Sequence, residues 1–349
     1  MFDINNTDTI QEIYYENVKE LYQDLSPFGK YAGVLNNFIF RGESSSKYKL
    51  IPSALREHNK KSIYSLAEIY NLSGVTGNED EFEYWQQYAE LQTLKKFFKI
   101  SDDRGLSIPD VPILREEILN VLSKDYKVAE TEYWLPDELL EIAGLAQHYG
   151  VPTRFIDWSL DYNISLYFAA VGAMKQESFK DDDYMVLWAL DYKHIEFLKE
   201  SDIRIPLRLI KPTYHRNPNL LSQRGVLSCW EYENHLKQMH PQNLLKQLNN
   251  IPSEEFVESF SKTFVLVDRT PQDELLKKYV SERDLPVGTL MYKFYLPAAQ
   301  CHTLYKVLTH LNFGADNLFP GLNGVFQRMK DDALYDPNKF DESLSYSEK

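Results

Sequence analysis

Only two cysteines, Cys229 and Cys301, occur in 349 residues, which excludes a disulfide framework. Neither has the spacing of a thiolate metal site, so both are expected as buried core thiols. No stretch reaches the roughly 18 consecutive apolar residues that a spanning helix needs. The opening Met1-Phe2-Asp3-Ile4-Asn5 has neither the basic residues nor the apolar run of a secretion signal. These absences predict a cytoplasmic protein with no membrane association. No run of Lys and Arg is present, and 38 basic residues against 52 acidic ones give a formal charge of −14. That field repels phosphate backbones, so duplex nucleic acid is not an expected partner. Glycine-rich phosphate loops, His-Glu-x-x-His and Gly-x-Ser-x-Gly are missing, and there is no internal repeat. Asp181-Asp182-Asp183, in a Lys-flanked turn, reads as a solvated loop, and no metal site is expected.

What is present is apolar and aromatic. Hydrophobic residues make up 43% of the chain, with 24 Tyr and 19 Phe, more than a disordered chain leaves in water. Helical spacing of Ile10, Ile13, Tyr14, Val18, Leu21 and Tyr22 predicts a helix over 10–25. Asn37 to Gly42 reads as a strand. Phe82, Trp85, Tyr88, Leu91 and Leu94 mark a helix over 79–98 with an aromatic core face, and 111–123 reads as a shorter one. Pro136-Asp137-Glu138 opens a helix that Gly150 and Pro152 stop. Ser159 is the expected N-cap of a buried helix through Val171. Segments 185–190, 203–210, 225–230, 263–267 and 290–296 have strand composition. Helices return over 298–311, closed by Gly314, and over 321–329, with a loose tail from Asp331. Helices dominate the first half and strands the second without βαβ alternation. The expected fold is therefore α+β, with a mostly antiparallel, split sheet and peripheral helices.

Four segments combine polar residues with apolar surroundings: Phe40-Arg41-Gly42-Glu43, Leu50-Ile51-Pro52-Ser53, Leu145 through Trp158, and Ser222-Gln223-Arg224-Gly225. Within the third, Ala146-Gln147-His148-Tyr149-Gly150 runs into Pro152-Thr153-Arg154 and then Asp157-Trp158. Together they resemble the FRG domain, named for its Phe-Arg-Gly motif, whose Ile-Pro-Ser, Ala-Gln-His-Tyr-Gly-x-Pro-Thr-Arg-x-x-Asp-Trp and Gln-x-Gly segments follow in this order. Leu318-Phe319-Pro320-Gly321-Leu322 is similar to a Leu-Phe-Pro segment that often closes such proteins. The chain departs at Phe155-Ile156, where members often carry Leu-Leu, and at Arg224 and Leu227 around the Gln motif. The resemblance covers 1–35, 57–140 and 231–290 little or not at all; with the helix and strand pattern it leads to an expected N-terminal helical segment 1–30, an FRG domain over 31–235 with a helical insertion at about 57–140, a 236–330 extension that completes the fold, and a flexible tail 331–349.

Each residue admits a functional and a structural role. Arg41, where an apolar strand meets Gly42, can hold a phosphate or carboxylate bidentately, or form a structural ion pair. Arg154 and Asp157 lie three apart in an apolar stretch, and burial forces each to find a partner, mutual or external. His148 lies at a helix C-terminus, where the dipole favours a charged imidazole suited to proton donation or phosphate binding. Thr153 offers a hydroxyl, and Tyr149 and Trp158 can stack on a planar base or serve the core. Gln223 can hydrogen-bond a carboxamide or ribose, and Glu231 and Glu233, alternate on a strand, are the candidate catalytic acids. The order of elements is similar to that of ADP-ribosyltransferases, an architectural analogy that implies a nucleotide pocket, with NAD as the cofactor or substrate. In that reading Arg41 holds the pyrophosphate and Gln223 or a glutamate steadies an oxocarbenium-like transition state, in the setting of bacterial or phage conflict. Two alternatives stand beside it. One is a non-catalytic module that senses a ligand or binds a protein partner, and the other is a metal-independent nuclease using His148, Arg154 and Asp157.

Overall fold

The computed structural model describes residues 8–69, 82–119, 128, 131–199, 203–213, 218–239 and 265–340. Among them are nine strands: β1 (Ile10–Tyr14), β2 (Phe38–Glu43), β3 (Tyr133–Trp134), β4 (Ile156–Ser159), β5 (Tyr184–Asp191), β6 (Leu207–Ile210), β7 (Gly225–Trp230), β8 (Tyr232–Glu233) and β9 (Met291–Pro297). The helices are α1 (Val18–Asp24), α2 (Lys60–Leu66), α3 (Glu83–Asp103), α4 (Pro112–Leu119), α5 (Leu140–His148), α6 (Tyr162–Met174), α7 (Tyr192–Lys199), α8 (Pro218–Ser222), α9 (Gln272–Glu282), α10 (Cys301–His310), α11 (Ala315–Leu318) and α12 (Leu322–Leu334).

Seven strands form one sheet in the order β1-β9-β5-β2-β4-β7-β6, parallel only between β1 and β9, while β3 and β8 pair separately. The fold is α+β with a mainly antiparallel sheet. Because side chains alternate across a strand, β2 sends Phe38 and Phe40 to one face and Ile39 to the other. The first face packs under α1, α6 and α10. The second packs against α7, α9 and the segment carrying Leu50 and Leu55. A third cluster joins α3, α4 and α5 to Trp134, Leu227 and Cys229. The sheet parts at its middle. β2 matches β5 from Phe38 through Glu43, but it meets β4 only at the Phe40–Ser159 pair.

Several sequence expectations change. The helix expected over 10–25 divides into β1 and α1. Long-range pairing with β9 outweighs the local period of Ile10 and Ile13. Asn17 then starts α1, its side-chain oxygen accepting from Glu20 N at 3.0 Å. Ser159 ends β4 instead of capping α6; that role falls to Asp161, which accepts from Asn163 N at 3.0 Å. The 203–210 strand shortens to β6 because Pro206 has no N–H to donate. Of 263–267, Leu266 makes one bridge to Phe82, and Thr263 and Phe264 lie outside the described residues. Asn312, at φ 65°, follows the end of α10, and Gly314 instead precedes α11.

The chain does not loosen at Asp331. α12 runs on to Leu334, and the buried Asp331 carboxylate accepts from Tyr167 Oη at 2.6 Å and Gln327 Nε2 at 2.8 Å. Residues 341–349 lie outside the described range. Tyr167→Phe should lower stability by about 1–2 kcal/mol, the cost of a buried acceptor losing its donor. An unchanged midpoint in chemical denaturation would remove this contact from the account.

Cys229 and Cys301 are both buried free thiols, and burial pushes each up to about 12. No group of three metal-ligating side chains occurs among the described residues, and Asp183 is paired with Lys47 Nζ at 2.6 Å. No described helix is long and apolar enough to cross a membrane.

Candidate functional site

Where β2 and β4 part, the carbonyl of Asp157 has no ladder partner on β2, and a side chain supplies the donor instead. Arg41 Nη1 donates to Asp157 O at 2.9 Å, while its Nε donates to Glu43 Oε1 at 2.7 Å. Arg41 and Glu43 share a face of β2, as residues two apart on a strand do. Gly42 faces the other way, against α6. A Cβ there would stand 1.8 Å from Ser165 O, so only glycine lets the helix lie this close.

The last turn of α5 brings Gln147 to the same place. The Thr153 hydroxyl donates to Gln147 Oε1 in a short hydrogen bond, which commits the carbonyl and turns the amide outward. Gln147 Nε2 then donates to Asp157 Oδ1 at 2.6 Å. Thr153 is itself fixed from the Ile-Pro-Ser segment. Its N–H donates to Ser53 Oγ at 3.0 Å, and its carbonyl accepts from Ser53 Oγ at 3.2 Å and Ala54 N at 2.9 Å.

Two cavities adjoin here, and Arg41, Gln147 and Asp157 line both. The first, about 350 Å³, is bordered by Ser53, Arg56, Asn59 and Ser62. The second, about 400 Å³, lies toward α6 and is bordered by Gly42, His148, Phe168, Gln223 and Val226. Exposed His148 has Nε2 3.3 Å from Asn219 Nδ2 on α8. Gln223 Nε2 donates to Leu318 O at 3.5 Å, and the Phe319 ring lies 6.2 Å from that of Phe168. The Leu-Phe-Pro segment thus braces this end of the cleft.

Not every expected residue comes to the cleft. Arg154 turns into the core and pairs with neither Asp157 nor a cavity. Its Nη1 lies 2.6 Å from Glu83 Oε1, its Nε donates to Glu90 Oε2 at 2.9 Å, and its guanidinium lies 4.7 Å from the Tyr232 ring centroid. Trp134 Nε1 donates to Glu90 at 2.6 Å. Burial opposes the charge on Arg154, but Glu83 and Glu90 outweigh it and hold its pKa above the usual arginine value. Burial also raises the Glu83 carboxyl above the usual range, with Arg154 offsetting part of the rise.

Glu231 and Glu233 line neither cavity. Glu231 follows the end of β7 and takes a bidentate contact from Arg204 Nη2 at 2.7 and 2.8 Å, and Glu233 pairs with Tyr133 across the small sheet. Tyr149 is exposed and packs edge-on against His148 outside both cavities. Trp158 borders the second cavity, but it is only 3% exposed and its indole donates to Ser228 Oγ at 2.7 Å, too enclosed to stack on a ligand. Sequence reasoning passed over Gln147, although it stood inside the long signature, and Arg56 and Phe168, which carry no local signal.

The family model of the FRG domain matches residues 36–178. The chain carries an FRG domain over these residues. No curated protein and no solved structure matches the chain. The matched part of the FRG domain supplies the whole first cavity and the Arg41–Asp157–Gln147 bridge. Pro212, Leu220, Gln223, Gly225, Val226 and Leu227, beyond the match, complete the second cavity.

Proposed function

We propose that the cleft of this FRG-domain protein binds a nucleotide, with Arg41 at its centre. The observation that carries this reading is convergence. Segments around residues 41, 53, 147, 157 and 223 bring side chains to adjoining cavities of about 350 and 400 Å³. Each is within the roughly 300–1,000 Å³ typical of small-molecule sites. Arg41 keeps Nη2 for a ligand, and Thr153, outside both cavities, fixes the acid beside it through Gln147.

A hydrolytic version of this reading, with NAD as substrate, draws support from Asp157. Its carboxylate is exposed, Gln147 holds Oδ1, and Oδ2 accepts no hydrogen bond among the described residues. As general base it would take a proton from the water that attacks the ribose carbon. The N-glycosidic bond would break with its electron pair leaving on nicotinamide. Glu231 and Glu233 are too differently placed for that work.

The test is calorimetric titration with ADP-ribose and NAD, followed by chromatographic assay of NAD. Arg41→Ala should weaken binding by at least about tenfold, as expected for a lost charge-assisted contact. Asp157→Asn should keep binding while abolishing any NAD loss. Absence of binding by wild type at millimolar nucleotide would overturn the proposal; binding without NAD loss would overturn only its hydrolytic version.

A further inference from the structure

The two cavities differ in chemistry. In the first, Arg56 Nε donates to Ile51 O at 2.9 Å, which pins the side chain, while its two terminal nitrogens donate to no described group. No carboxylate pairs with Arg56 among the described residues. Arg41 and Ser62 border the same space, and Asp157, the one acid among its described lining residues, already holds the Gln147 amide. A pinned guanidinium without a counter-ion, beside a second one, is an anion site by charge and by donor geometry.

The second cavity is bordered by Phe40, Ile164, Phe168, Leu220, Val226 and Leu227, with His148, Gln223, Ser159 and Ser165 as polar groups beyond the Arg41, Gln147 and Asp157 it shares with the first. Phe168 stands out on α6. From Ile164 to Val171 every other residue is buried, whereas Phe168 is 41% exposed. An aromatic ring left open to an apolar cavity is suited to stacking on a planar group. Between the two spaces the Arg41–Asp157–Gln147 bridge is a crossing point for whatever joins an anionic end to a planar end.

We infer that the site is polar along its length: Arg56 and Arg41 hold a phosphate in the first cavity, and Phe168 takes the base in the second. This rests on the nucleotide reading and gives it a direction, with the ribose crossing at Asp157. The ligand class is then a nucleoside phosphate or dinucleotide, with the unphosphorylated nucleoside a poor ligand.

Calorimetry with AMP and adenosine, and thermal-shift measurements with inorganic phosphate against sodium chloride of equal ionic strength, test the assignment. Wild type should bind AMP at least about tenfold more tightly than adenosine. In Arg56→Gln that preference should collapse to within about twofold with adenosine affinity unchanged, and stabilisation by phosphate should vanish. Phe168→Ala should weaken AMP and adenosine by similar factors and leave the phosphate effect intact. Equal wild-type affinity for AMP and adenosine, or equal loss of both in Arg56→Gln, would overturn the assignment while leaving nucleotide binding standing. Stabilisation by phosphate through Arg56 with no nucleotide bound would instead overturn the nucleotide reading and the base subsite, and keep only the anion site. The unliganded melting temperature of each variant, compared with wild type, separates these results from misfolding.

Discussion

Arg154→Met should cost roughly 3–5 kcal/mol of stability at neutral pH, because it removes the cation that Glu83 and Glu90 share in the core. All three side chains are buried, and each carboxylate left behind would be an uncompensated charge in a medium that solvates it poorly. The loss should depend on pH in a defined direction. Burial already holds Glu83 above the usual carboxylate range in the native protein, with Arg154 offsetting part of the rise, so removing Arg154 should raise it further. A carboxyl whose folded pKa is raised favours the folded state below its unfolded value, and that advantage disappears as pH rises through the folded value. Without Arg154 the deficit should therefore be greatest near neutrality and narrow as pH falls toward about 4. Glu83→Gln should behave oppositely. It leaves Arg154 with Glu90 alone, one charge to one, and stability should stay within about 1 kcal/mol of wild type or rise. Thermal melts of the two variants between acid and neutral pH decide the matter: an Arg154→Met protein that melts with wild type at neutral pH refutes the account.

That network also shows where the sequence can be read and where it cannot. The helix near 79–98 is legible from its period, and Ala89, Leu91, Leu94 and Phe98 do face the core, but its first two turns bury polar residues that the period does not announce. In α3 the buried set includes Glu83, Gln86, Gln87 and Glu90, and Tyr84, Trp85 and Tyr88 are only partly covered. Polar residues at helical spacing normally mark the solvent side. Here Arg154, 64 residues beyond Glu90, supplies a partner that no local pattern contains. The same limit applies to β1, whose partner β9 lies near the other end of the chain, and to the placing of β9 between β1 and β5. Local signals do better. The apolar runs of β5, β7 and β9 and the Pro136 and Gly150 boundaries of α5 need no distant information. At the site, Arg41, Gly42, His148, Asp157 and Gln223 do border one cleft. Arg56 escapes notice because an arginine after a 3-10 turn looks like any solvated residue until it is seen in space with no carboxylate partner among the described residues.

Gly42→Ala should be severely damaging, abolishing soluble expression or lowering stability by more than about 3 kcal/mol. The added Cβ would meet Ser165 O at 1.8 Å and the Ser165 carbonyl carbon at 2.6 Å, both backbone atoms of α6. No rotamer relieves such a clash; the helix itself must move. α6 cannot move cheaply. Ala169, Ala170 and Ala173 pack it in the core of the first face, and Gly172 repeats the close approach, with a Cβ there only 2.7 Å from Ser44 Cβ. Lifting α6 off β2 would open that core and displace Phe168 from the second cavity, so any protein that folds should also lose affinity for AMP. Gly144→Ala is the matched control. Its Cβ would lie 3.2 Å from Leu227 Cδ1, the end of a flexible side chain, and alanine favours the helix that Gly144 occupies by up to about 1 kcal/mol. Its melting temperature should stay within a few degrees of wild type. If Gly42→Ala melts as Gly144→Ala does, α6 is not held against β2 as closely as the Gly42 contact requires, and the placement of Phe168 over the second cavity falls with it.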